Sequence, residues 1–174
     1  MARRSAFQRE QKHRHGFVLM ERDLKAVEDV GRYRFLTAQQ LLQLNWPKSS
    51  QRRHGESRLR ELFHAGWLDR QPFGVGLGHP LAVYSLGPLG RLHVAAQASV
   101  AVSKVGPRPV KERNHDLLFL QHHLQTVQVV INIAAAAERH GGSLVLYREE
   151  RLLRADWARD PKETRLLPDA FPVK

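Results

Sequence analysis

The chain has 174 residues, with 28 Lys plus Arg against 17 Asp plus Glu for a formal net charge of +11, hydrophobic residues at 42%, and no cysteine. This length suits one ordinary domain or two small ones with a core, and the lack of cysteine excludes disulfides, thiol catalysis and Cys-based zinc sites. The most apolar stretch, residues 127–137, is interrupted by Gln128 and Asn132 and is well short of the about 20 residues that span a bilayer, so no membrane partner is expected.

The cationic excess favours polyanionic partners, because each phosphate neutralised by Lys or Arg releases condensed counterions. Many soluble proteins are basic, so the placement of the charge decides its meaning. Residues 1–22 open with Arg3, Arg4, Arg9, Lys12 and Arg14 and lack the apolar stretch of a secretory signal, which predicts a cytoplasmic basic tail. Two readings stay open for it: an arm that sends Arg3 and Arg4 into a minor groove, or a solubilising extension.

Residues 23–97 form the first predicted domain. Asp23 is placed to cap a helix whose apolar positions Leu24, Val27 and Val30 recur every three residues, with residues 31–35 ending it. Thr37-Ala38-Gln39-Gln40 matches a capping box and predicts a short second helix carrying Leu41, Leu42 and Leu44. Trp46-Pro47 breaks the chain, and Ser49 or Ser50 caps a third helix that runs to Ala65 and stops at Gly66. Two strand candidates, residues 67–70 and 81–86, then flank the glycine-rich stretch 73–80, and a fourth helix runs from Pro88 to about Ala96. Helix, helix, helix, hairpin, helix is the order of a winged helix-turn-helix.

The third helix carries the candidate site. Leu59, Leu62 and Phe63, beside Gly55 and the stem of Arg52, mark its inward face, while Ser50, Arg53, His54, Ser57, Arg60 and Glu61 mark the outward one. Short polar and cationic groups of this kind contact base edges and phosphates in a major groove. Arg53 and Ser57 are the expected base contacts, since recognition helices insert their N-terminal part and arginine matches guanine bidentately. Arg52 and Arg58 are expected on flanking phosphates, with Arg70 the main charge of the wing. Double-stranded DNA is the expected partner, against the alternatives of a plain solvated helix face and a protein-binding adaptor.

Residues 98–112, with Gly106-Pro107 and Pro109, read as a linker. Beyond it, Leu117, Leu120, Leu124, Val127, Ile131 and Ala134 set a sustained helical stripe, capped by Asn114 and stopped by Gly141-Gly142. That helix, residues 114–140, is open to two expectations: homodimerisation through the stripe, or packing against the rest of the chain. Strands are predicted at residues 143–147 and from Leu166, so residues 113–174 read as an incomplete α/β region and the whole chain as α+β. His115, His122 and His123 lack a reinforcing metal-ligand pattern and are expected to face solvent. Gly74, Gly76 and Gly78 lack the helix and lysine of a phosphate loop, and neither metal nor cofactor is expected.

The stretches Tyr33-Arg34-Phe35-Leu36-Thr37-Ala38-Gln39-Gln40-Leu41, Ser57-Arg58-Leu59-Arg60-Glu61-Leu62, Ala65-Gly66-Trp67-Leu68 and Val83-Tyr84-Ser85-Leu86-Gly87-Pro88-Leu89-Gly90 resemble the replication-relaxation family, winged-helix proteins of bacterial plasmids and integrated mobile elements. The resemblance implies DNA binding in replication, relaxation or its transcriptional control. It also implies a second region similar to the opening of a restriction-endonuclease-like fold, onto which His115, Glu150 and Pro168-Asp169-Ala170 fall. In such nucleases an Asp and a following acid-x-Lys strand hold a divalent metal that activates water. No second acid follows Asp169 here, so Glu150 and Asp169 are weak catalytic candidates and a non-enzymatic role is expected, with a nuclease-targeting module as the alternative.

Overall fold

The computed structural model describes residues 8–9, 17–73, 81–105 and 117–144. Among these residues the protein is α+β, with five α-helices and one small antiparallel sheet. The chain divides into two compact units, residues 1–132 and 133–174.

In the first unit, α1 (Glu21–Tyr33) begins before the position expected for it. Asp23 is not the residue preceding the helix but sits in its first turn, where its carboxylate accepts a hydrogen bond from the Met20 backbone N–H at 2.8 Å. The helix ends in a tight γ-turn at Arg34 (φ 63°), closed by the Phe35 N–H on the Tyr33 carbonyl at 2.7 Å. That reversal sends the chain into β1 (Leu36–Thr37), a two-residue strand with no sequence signal of its own.

The capping box forms as its spacing predicts. Thr37 Oγ1 accepts from the Gln40 N–H at 3.2 Å, Gln40 Oε1 accepts from the Thr37 N–H at 2.9 Å, and α2 (Ala38–Asn45) follows. After the Trp46-Pro47 break, a single 3-10 turn (Ser49–Gln51) leads into α3 (Arg52–His64). Gly66, at φ 87°, ends α3 in a Schellman motif, with Trp67 N–H on the Leu62 carbonyl and Gly66 N–H on the Phe63 carbonyl.

Strands β2 (Leu68–Phe73) and β3 (Leu81–Leu86) pair antiparallel, Leu68 opposite Leu86 and Phe73 opposite Leu81. β1 joins the other side of β3, giving the order β1-β3-β2, and α4 (Pro88–Gln97) follows. The core lies among α1, α2, α3 and β3, where Ala26, Val27, Val30, Leu41, Trp46, Leu59, Leu62 and Val83 are almost wholly buried. Their spacing explains the elements: one apolar stripe per helix, each turned to a shared centre.

α5 (Leu117–Arg139) turns the buried side of its stripe onto this unit. Leu120 and Leu124 join Phe35 and Val83 in one cluster against which Phe73 packs, and Val127 and Ile131 are also buried. Those four positions of the stripe are therefore covered within the chain. In the second unit the described residues are 133–144, the end of α5 and a Schellman turn in which Gly141 (φ 74°) precedes Gly142, whose N–H meets the Ala137 carbonyl at 2.8 Å. Ser143 and Leu144 are in neither helix nor strand, and the rest of the strand predicted at 143–147, like the one from Leu166, lies outside the described residues.

Candidate nucleic-acid interface

α3 is built so that its two sides differ in chemistry. Gly55, Leu59, Leu62 and Phe63 are buried, whereas Arg53, Ser57 and Arg60, at positions i, i+4 and i+7, are exposed along one stripe. Ser50, Arg52 and His54 are exposed around the N-terminal end of the same helix. Among the described residues Arg52, Arg53 and Arg60 make no ion pair, so their donors face solvent. Glu56 is the acid exposed beside them.

Arg58 departs from its expected place on a flanking phosphate. Its side chain is 10% exposed and faces α1, where Nε donates to Asp23 Oδ1 at 3.1 Å and Nη2 bonds Oδ2 of the same carboxylate. Nη2 also donates to the Val18 carbonyl at 2.9 Å, Nη1 to Glu61 Oε2 at 2.6 Å, and the Phe17 ring covers the guanidinium at 4.7 Å. The helical period explains the error, since position 58 lies toward the buried side, and only a partner as distant as Asp23 makes burial of arginine tolerable. The bond to Asp23 raises the pKa of Arg58 further above its already high value. By occupying Glu61, Arg58 also neutralises an acid at the edge of the exposed stripe.

Arg70, on β2, is half-buried, with its guanidinium 5.8 Å from the Tyr84 ring on β3. Burial pushes the Tyr84 phenol above its usual value, and the charges of Arg70 and Arg60 oppose that rise. β2 packs against α3, which brings the hairpin charge of Arg70 beside that helix. The glycine-rich residues 74–80 lie outside the described residues.

Of the histidines, His122 is exposed as expected, and His115 lies outside the described residues. His123 is not solvent-facing: Nε2 donates to the Tyr33 carbonyl at 2.8 Å and its ring meets Phe35 edge-on, so it helps seat α5 on the γ-turn. Among the described residues no three His, Asp or Glu side chains group as metal ligands, and Glu150 and Asp169 lie outside them. No described helix is long and apolar enough to cross a membrane.

Sequence reasoning also missed Arg9. Its Nε donates to the Phe63 carbonyl and Nη2 to the Leu68 carbonyl, both at 3.0 Å, and Nη2 reaches Asp69 Oδ1 at 2.6 Å. Basic residues in a tail carry no periodic signal, so nothing in the sequence singles this one out.

A helical α+β protein that presents a cationic helix face beside an antiparallel hairpin is the class this arrangement defines. The chain belongs to the replication-relaxation family, whose model matches residues 27–173. No curated protein and no solved structure matches it.

Proposed function

We propose that residues 23–97 are a winged helix-turn-helix that binds double-stranded DNA, with α3 in the major groove, in the replication or relaxation of a plasmid or mobile element or in its transcriptional control. The observation that carries this reading is the exposed Arg53–Ser57–Arg60 stripe, whose arginines have no acidic partner among the described residues. A stripe at this spacing follows one groove wall, and its N-terminal member is the one nearest the base edges. Arg53 reads a guanine and Ser57 assists. Arg60 and Arg70 hold the phosphates alongside, and Arg52, His54 and Ser50 meet the backbone at the helix start. Arg58 has a different task, fixing α3 against α1.

The test is fluorescence anisotropy of labelled duplexes titrated with the full chain at low and moderate salt. Arg53→Ala removes about 1–3 kcal/mol at the preferred sequence and relaxes discrimination there. Arg60→Ala weakens binding to every duplex alike and makes the salt dependence shallower by about 0.9 in log–log slope. Affinity that is absent at low salt, or indifferent to both substitutions, would overturn the reading in favour of a protein-binding adaptor.

A further inference from the structure

Arg9 bridges α3 and β2, the two elements that the duplex-binding reading above assigns to the major groove and its flank. Resting on that reading, we infer that Arg9 is a positioning residue: it holds the hairpin against the end of α3 so that Arg70 and the Arg53–Ser57–Arg60 stripe engage one duplex together.

The bridge has contacts on both sides. Arg9 Nε donates to the Phe63 carbonyl in the last turn of α3, and Nη2 donates to the Leu68 carbonyl at the start of β2, both at 3.0 Å. Nη2 also meets Asp69 Oδ1 at 2.6 Å, and the guanidinium carbon lies 5.6 Å from the centre of the Phe63 ring. A cation at this end of a helix also complements its dipole. The planar fork matters, because its donors diverge at fixed angles and reach acceptors on two elements at once.

The joint that Arg9 spans is short. α3 ends at His64 and β2 begins at Leu68, with Gly66 between them at φ 87°. The Gly66 and Trp67 carbonyls accept from the Leu89 and Gly87 N–H groups at 3.1 and 2.9 Å, where α4 begins. Those bonds tie the joint to α4, and Arg9 adds the tie between the last turn of α3 and the first residues of β2. Holding Leu68 and Asp69 fixes the strand immediately before Arg70. Side chains alternate along a strand, so Asp69 and Arg70 project to opposite faces, Arg70 against the Tyr84 ring at 5.8 Å. The pairing also neutralises Asp69, an acid that would repel phosphates beside Arg70. With its donors on protein acceptors, Arg9 acts through Arg70 and is not itself a phosphate ligand.

The experiment measures duplex affinity across a salt series for the full chain, Arg9→Ala, Arg70→Ala and the double variant, at a temperature where circular dichroism shows each to be folded. Arg70→Ala is expected to make the slope of log K against log[salt] shallower by about 0.9, the share of one phosphate. Arg9→Ala is expected to produce the same loss, and the double variant to lose no more than either one. Arg9→Lys, which keeps the charge but not the fork, is expected to match Arg9→Ala. Arg53→Ala is expected to relax base discrimination as fully in the Arg9→Ala chain as in the wild type, since α3 keeps its place. Additive losses in the double variant, or a wild-type slope in Arg9→Lys, would mean that the charge of Arg9 meets phosphate directly, and either overturns the inference. A wild-type slope in Arg9→Ala or in Arg70→Ala overturns it too, as does a loss of base discrimination from Arg9→Ala alone, which would mean a general loosening of α3. A wild-type chain without salt-dependent binding instead overturns the duplex reading, so the wild-type curve separates the two failures.

Discussion

Arg58 on α3 and Asp23 on α1 form a two-point ion pair with 10% and 1% of their side chains exposed, and it bolts the exposed arginine stripe to the rest of the fold. A pair this deep is expensive to break and cheap to replace. Arg58→Ala strands the Asp23 carboxylate and is expected to cost about 3–5 kcal/mol in urea denaturation. Asp23→Leu/Arg58→Met, which removes both charges, is expected to recover more than half of that loss. A double variant as unstable as the single one would mean that the pair supplies net stability through its hydrogen bonds.

Gly55 sits where α3 crosses α2. A Cβ there would lie 2.5 Å from Leu42 Cδ2 and 2.8 Å from the Trp46 ring, both of them buried. Alanine gains up to about 1 kcal/mol of helix propensity over glycine, whereas overpacking typically costs about 1–3 kcal/mol. Two contacts under 3 Å against an immobile indole put the balance on the side of overpacking. Gly55→Ala is expected to lower the thermal midpoint, and a rise would show that Trp46 yields.

The legibility of the sequence followed the range of the signal. α2, the end of α3, the hairpin strands and the end of α5 were readable because a capping box, two glycines at positive φ and two short runs either side of a glycine-rich stretch act within a few residues of one another. β1 was not, since two residues carry no pattern and Leu36–Thr37 is a strand only because β3 lies alongside. In the candidate site the exposure of Arg53, Ser57 and Arg60 followed from the helical period. The period also turns position 58 toward the buried side, but the partner that makes burial of an arginine there tolerable, Asp23, lies 35 residues away and leaves no local signal. Arg9 and His123 escaped for the same reason, their partners lying 54 to 90 residues distant.

Burial also sets a pH limit. Tyr33 and Tyr84 both have their phenol pKa raised above the usual 10.0, first by desolvation. The fold therefore prefers the neutral phenols. Below 10.0 this contribution is fully present; as pH rises from 10.0 through the folded values, the unfolded chain releases protons the folded chain retains, and stability falls. Denaturation midpoints should decline through that window, less steeply in Tyr84→Phe. An ultraviolet titration in which all three tyrosines ionise at or below 10.0 would contradict the assignment.

Gln40 links the capping box to α5, and one side chain serves both. Its Oε1 accepts from the Thr37 N–H, while its Nε2 donates to the Leu124 carbonyl at 2.8 Å from a site only 3% exposed. Substitution can separate the two roles. Gln40→Glu keeps the acceptor that closes the cap but turns a carboxylate oxygen toward the Leu124 carbonyl, so a buried attraction becomes a repulsion of two acceptors. Gln40→Ala loses cap and donor but introduces no charge. The glutamate variant is therefore expected to be the more damaging, by about 1–3 kcal/mol, although glutamate is a normal partner in this box. Hydrogen exchange locates the effect: in Gln40→Glu the amides of α5 around Leu124 should lose protection more than those of α2. If α2 loses it instead, the cap and not the link to α5 is what Gln40 chiefly maintains.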